Sequence, residues 1–141
     1  MIIKFKKLVP EASVPYRATP GSAGYDLTAV SKEWNDETLT MKYGTGLAVE
    51  IPDGYVGLLF PRSSVLRTGL VQSNCVGVID SDYRGEIIMN FYWNATKSRP
   101  YAVGDRIGQL VIVPYAGVEW EEAEELSETA RGIGGHGSTG V

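Results

Sequence analysis

The sequence predicts a single all-β domain, a sandwich or barrel of short strands, on three observations. Apolar and β-branched residues come in runs of strand length, several alternating with polar residues at period two. Most runs are closed by Pro, Gly, Asp or Asn, and 17 glycines and 7 prolines in 141 residues supply that punctuation. The runs recur at short spacing, which favours a sandwich or barrel over a parallel sheet with crossover helices.

Taken in order, "MIIKFKKLVP" alternates apolar and basic residues, as an edge strand does and a signal peptide does not. "YDLTAV", "ETLTMKY", "GLAVEI" and "YVGLLF" follow as strands. "PRSSVLRTGL" breaks the rhythm: Pro61, two hydroxyls and then Gly69 suit a single helical turn with a serine cap and a glycine stop. The strands resume as "LVQSNCVGVI", "GEIIMNFYW" and "RIGQLVIVPY". "SKEWNDET" and "WNATKSRP" read as surface loops. "GVEWEEAEELSE" carries six glutamates and reads as a solvated face or edge. The glycine-rich "RGIGGHGSTGV" cannot bury a core and should be loose in isolation, so residues 1–130 are expected to form the body and 131–141 a mobile arm.

At 15.3 kDa the chain is long enough to bury a core without staples. A hydrophobic share of 43% and a charged share of 21% are those of an ordinary globular protein. No apolar run approaches a bilayer span, so no membrane is expected. The net charge of −4 with no basic stripe argues against a nucleic-acid polymer as partner. A single cysteine, Cys75, excludes an internal disulfide and favours a reducing, cytoplasmic compartment, where it would serve as a small buried hydrophobe. There is no Cys/His cluster for zinc and no Gly-Lys-Ser phosphate loop.

The residues able to do chemistry lie at turns. Asp80 ends an almost wholly apolar run in "GVIDSDYRGEI", where desolvation would raise its basicity towards general-base work; Asp82 suits a turn residue bonded to its own backbone. "AGYDLTA" offers a second carboxylate, Asp26, at a strand end. "GDRIGQLVI" places Asp105 and Arg106 in a turn, as a neighbouring ion pair, and Gln109 on an apolar strand where its amide needs a partner, a ligand oxygen being one candidate. Arg62 with Ser63 and Ser64, and Arg131 with Ser138 and Thr139 among glycines, form two candidate phosphate clamps. The inventory suits a polyphosphate bound with a hard cation such as Mg²⁺.

In their order, "AGYDLTA", "PRSS", "GVIDSDYRGE", "GDRIGQL" and "RGIGGHGSTG" resemble the five motifs of the trimeric deoxyuridine triphosphate nucleotidohydrolases, the dUTPases. The resemblance spans residues 23–140. It implies a jelly-roll homotrimer with active sites at subunit interfaces and a C-terminal arm that closes over the nucleotide. It implies Mg²⁺-dependent hydrolysis of dUTP to dUMP and pyrophosphate, lowering dUTP and supplying dUMP for thymidylate synthesis.

On that likeness Asp80 activates water for attack on the α-phosphorus, and Tyr83 packs against deoxyribose and leaves no room for a 2′-hydroxyl. Asn74 and Gly77 belong to the hairpin that binds uracil. Arg62, Ser63, Ser64, Gln109, Arg131, Gly137, Ser138 and Thr139 contact the substrate, chiefly its phosphates, and Asp26 faces the water shell of the Mg²⁺. His136 stands where the fifth motif usually has phenylalanine, a ring that stacks on uracil; imidazole is also planar, and its titration would make closure depend on pH.

Two other readings have weight. The dCTP deaminases share the fold and part of the motif set, but their catalytic glutamate falls at Asn90 here. A β-trimer that binds nucleotide or a protein partner and signals by closure of the arm is the non-enzymatic alternative.

Overall fold

The computed structural model describes residues 1–94 and 99–135. Its strands are β1 (Lys4–Lys7), β2 (Tyr25–Thr28), β3 (Ser31–Asn35), β4 (Thr40–Gly44), β5 (Leu47–Glu50), β6 (Tyr55–Pro61), β7 (Leu70–Gln72), β8 (Gly77–Ile79), β9 (Ile88–Trp93) and β10 (Arg106–Pro114). One 3₁₀ turn, Ser63–Arg67, interrupts them. Every strand pairing among the described residues is antiparallel.

The strands form two four-stranded sheets, ordered β2-β10-β6-β8 and β3-β4-β9-β7, with β1-β5 as a separate ribbon. This is the expected jelly-roll sandwich. Alternating residues of both sheets point inwards, so Leu27, Leu59, Ile107 and Leu110 from one and Tyr43, Met89 and Phe91 from the other share a single core. Tyr43, Phe91 and Tyr101 meet edge to face, with centroids 5.8 to 6.5 Å apart. The Tyr43 hydroxyl donates to the Tyr101 carbonyl at 2.9 Å. Burial, reinforced by the charge of Asp105 and by Tyr101, holds the Tyr43 phenol well above its ordinary range, so it remains a neutral donor.

Three local expectations are corrected. "SKEWNDET" is not wholly loop: Ser31–Asn35 form β3, whose Trp34 lies opposite Met41 of β4. Alternating charged residues on an exposed edge strand resemble a loop in composition, and pairing decides between them. The single run "LVQSNCVGVI" is two strands, β7 and β8, in different sheets, joined by a turn at its tip. Cys75 sits in that turn at φ +58°, exposed instead of buried.

The helical turn also lacks a serine cap. Arg62 occupies the N-cap position in an extended conformation with no side-chain cap bond, and the Val65 N–H donates to the Arg62 carbonyl at 2.9 Å. The stop at Gly69 is as expected, at φ +67°.

β10 ends at Pro114, and residues 115–133 are exposed throughout. The glutamate run lies within this stretch and is solvated, as its composition required. No helix of the described residues is long and apolar enough to cross a membrane.

Candidate active site

Two polar cavities flank β6. The first, of about 350 Å³, is lined by Gly24, Asp26, Phe60, Arg62, Ser63 and Gln109 among others. Register creates it: Gln109 of β10 lies opposite both Asp26 of β2 and Phe60 of β6, so the three side chains rise from one face. Asp26 is clamped further by an isolated bridge to Tyr16, whose carbonyl accepts from the Asp26 N–H at 2.7 Å. Arg62, extended at the head of the 3₁₀ turn, reaches back so that its Nε donates to Asp26 Oδ1 at 2.8 Å. Arg106 donates from Nη1 to Asp26 Oδ2 at 2.9 Å.

Both oxygens of this nearly buried carboxylate therefore hold guanidinium groups. The expected Asp105–Arg106 pair is replaced by this longer reach. Asp105 instead accepts the Ala102 N–H at 2.7 Å and closes its own turn, with Gly104 at φ +92°. Gln109 donates from Nε2 to the Pro61 carbonyl at 3.2 Å, which answers its amide within the chain. Its side chain lies over Gly24, where a Cβ would run into the amide. Ser63 lines the cavity, whereas the Ser64 hydroxyl lies 2.9 Å from that of Tyr101.

Among the described residues no group of three acidic, His or Cys side chains is placed to hold a metal. A lone carboxylate between two arginines suits a cation carried by phosphates and its own waters, touched by Asp26 through water, and does not suit a resident metal.

The second cavity, of about 220 Å³, is lined by Leu59, Asn74, Gly77, Asp80, Tyr83 and Glu86 with neighbouring apolar residues. β8 lies so close to β6 that a Cβ on Gly77 would sit 3.0 Å from the Leu59 side chain. Asp80 is exposed where β8 ends, because the chain turns outwards at once. The desolvation expected of it is thus not supplied by this chain. The turn is held by the Tyr83 N–H on the Asp80 carbonyl at 3.2 Å and by Arg84 Nη1 on the Ser81 carbonyl at 2.6 Å. Among the described residues the Asp82 side chain makes no hydrogen bond, so its expected turn role passes to Arg84. Tyr83 folds its ring over Gly85 and donates its hydroxyl to the Glu86 carbonyl at 3.0 Å.

The two cavities share no lining residue. Leu59 and Phe60, one in each, are consecutive on β6 and project to opposite faces. Arg131 joins neither; its Nε donates to the Gly134 carbonyl at 2.8 Å. His136, Gly137, Ser138 and Thr139 lie outside the described residues. Asn90 is exposed on β9 and lines neither cavity.

Two partners escaped the sequence reading. Arg106, which its sequence neighbours place in its own turn, reaches Asp26 instead. Gln72 is polar on the otherwise apolar β7 and buried, the same signal that singled out Gln109.

A dUTPase family model matches residues 10–140. The chain belongs to the dUTPase family. It is 43% identical over 136 residues to the deoxyuridine 5′-triphosphate nucleotidohydrolase of Pseudomonas fluorescens, covering 92% of this chain and 89% of that one. It is 46% identical over 138 residues to the same-named protein of Desulfitobacterium hafniense, covering 91% and 87%. Among solved structures, a Staphylococcus bacteriophage 80alpha dUTPase variant with dUpNHpp superposes with a TM-score of 0.81 at 29% identity, over 99% of both chains. A dUTPase of S. aureus phage phi11, described with a structural Mg(II) ion, gives 0.74 at 29% identity, over 89% of this chain and 98% of that one. The dUTPase motifs account for both cavities: the first, second and fourth build the Asp26 cavity, and the third supplies most of the Asp80 cavity.

Proposed function

We propose that this chain hydrolyses dUTP to dUMP and pyrophosphate, in sites that each combine the Asp26 cavity of one copy with the Asp80 cavity of another. The observation that carries the reading is the division of chemistry. The Asp80 cavity has a carboxylate, an amide and an aromatic ring, the equipment for a nucleoside and an attacking water; the Asp26 cavity has a guanidinium, a hydroxyl and an amide, the equipment for phosphates. A nucleoside triphosphate needs both.

In this reading Asn74 and the backbone from the β7–β8 turn to Gly77 hold the base, and the Tyr83 ring lies against the sugar and excludes a 2′-hydroxyl. Asp80 accepts a proton from water as that water attacks the α-phosphorus. Exposed in the single chain, it gains its desolvation when a second copy and the substrate cover it. Arg62, Ser63, Ser64 and Gln109 bind phosphate oxygens, and Asp26 keeps Arg62 aimed at them. Mg²⁺ brought with the triphosphate neutralises its charge and orients it, and Asp26 meets the ion's water shell. The arm from Arg131, with His136, Gly137, Ser138 and Thr139, closes over the substrate. The product dUMP serves thymidylate synthesis, and removal of dUTP keeps its level low.

Exposed apolar side chains support assembly. Val118, Trp120 (94% exposed) and Leu126 in the segment after β10, and Ile133 on the arm, have no cover among the described residues. A groove of about 590 Å³ beside β1 and β10 is lined by Ile3, Phe5, Val14, Val49, Leu110 and Ile112 among others. A closed trimer in which arms cross between copies would bury both.

The test is pyrophosphate release from dUTP, UTP, dTTP and dCTP, each with Mg²⁺ and with chelator. Metal-dependent turnover confined to dUTP is expected. Turnover of UTP at a comparable rate would remove the sugar filter, and an intact dUTP pool would remove the enzyme.

A further inference from the structure

The turn between β7 and β8 contains a hydrogen-bond relay that none of the dUTPase motifs includes. Gln72 is almost fully buried at the end of β7, and its Nε2 donates both to the Leu59 carbonyl and to Asn74 Oδ1, each at 3.1 Å. Among the described residues its own Oε1 is buried with no partner. A buried acceptor left unmade is costly, so the side chain is retained for what its other end does.

The backbone fixes the polarity of the relay. The Leu59 carbonyl can only accept, so the Gln72 atom facing it must be the amide nitrogen. The same nitrogen faces Asn74, so the atom of Asn74 that meets it must be Oδ1. Among the described residues Asn74 Nδ2 is thereby left without a partner, and Asn74 lines the Asp80 cavity. The relay also braces a tight tip, where the Val76 N–H donates to the Asn74 carbonyl across Cys75 at φ +58°, a conformation disfavoured for a residue with a side chain.

We propose that Gln72 is a positioning residue for base selection: anchored on the Leu59 carbonyl, it holds Asn74 with Nδ2 outward, so that the cavity reads a base carbonyl and rejects a base amine. Uracil offers a carbonyl at the position where cytosine carries an amino group. The inference rests on the nucleoside reading of the Asp80 cavity. A residue that merely filled the core would not affect the choice of base.

The test is Gln72→Met, close in length and free of polar atoms, compared with wild type on dUTP and dCTP. Removing the orphaned acceptor should leave the melting temperature equal or higher. With kcat on dUTP within about threefold, KM should rise severalfold and the dUTP:dCTP ratio of kcat/KM should fall about tenfold. In an Asn74→Ala background the same change should leave that ratio unmoved. An unchanged ratio in an active Gln72→Met protein overturns the relay, whereas a wild type inert towards dUTP overturns the enzyme reading instead. Should Gln72→Met not fold, wild type decides by NMR. Protected Gln72 side-chain amide protons, with an Asn74 amide signal that moves on adding dUMP, support the relay; fast-exchanging Gln72 amide protons overturn it.

Discussion

Asp26 on β2 and Arg62, one residue past the end of β6, are held together at 2.8 Å although β10 lies between the two strands, and Arg106 completes the cluster on the other carboxylate oxygen at 2.9 Å. The carboxylate is 10% exposed, Arg62 25% and Arg106 46%, so the pair with Arg62 is the better shielded. Asp26→Ala would leave two cations facing each other in a partly buried site. We expect a stability loss of about 2 kcal/mol. Arg106→Ala, nearly half solvated, should cost under about 1 kcal/mol. Chemical denaturation of both variants measures the difference, and equal losses would contradict the arrangement.

The amide of Gln109 rests on Gly24, and a methyl there would lie 3.0 Å from the amide carbon. The far end of a glutamine can swing aside, so Gly24→Ala should cost less than about 1 kcal/mol of stability. The displaced amide leaves the phosphate cavity, and KM for dUTP should rise about tenfold with little change in kcat. Steady-state kinetics beside a melting curve separates the two effects.

Tyr83 depends in the same way on Gly85, where a Cβ would press into the phenol ring. Gly85→Ala should turn the ring off its position, and the preference for dUTP over UTP should fall about tenfold. Tyr83→Phe keeps the ring and loses only the bond to Glu86, so it should keep that preference. A Gly85→Ala protein that still rejects UTP would show that the ring is not the filter.

On the β1–β5 ribbon, the hydrogen bond and charge of Lys4, with a smaller contribution from Arg84, hold the Glu50 carboxyl below its ordinary range. A carboxyl lowered in the folded state stabilises above its unfolded pKa, and that contribution is lost as pH falls through the folded value. Lys4→Met should raise the Glu50 titration midpoint, read by carboxyl NMR. The small difference in melting temperature between the two proteins should vanish in acid. An unmoved midpoint would show that the pair does not form in solution.

What could be read beforehand follows physical range. The β class and most strands were legible because alternation and turn residues are local signals, and the site residues carried distinctive motifs. β3 was missed because "SKEWN" is polar, and only its pairing with β4 makes it a strand. Arg106 was misassigned because its partner is 80 positions away along the chain. Asp80 was expected to be desolvated because its run is apolar, yet the outward turn after Ile79 decides its exposure. The division of the site into two cavities is a property of register across β6, which no short stretch of sequence encodes.

A site divided between two copies can be reconstituted from two inactive chains. Asp80→Asn and Arg62→Ala should each fold and each be inactive, since one lacks the water-activating half and the other the phosphate half. Co-refolded in equal amounts, they should recover about a quarter of wild-type turnover of dUTP, the share of sites that pair two intact halves when copies mix at random. Mixed oligomers that form and remain inactive would mean that both halves of a site come from one chain, and the account would be wrong.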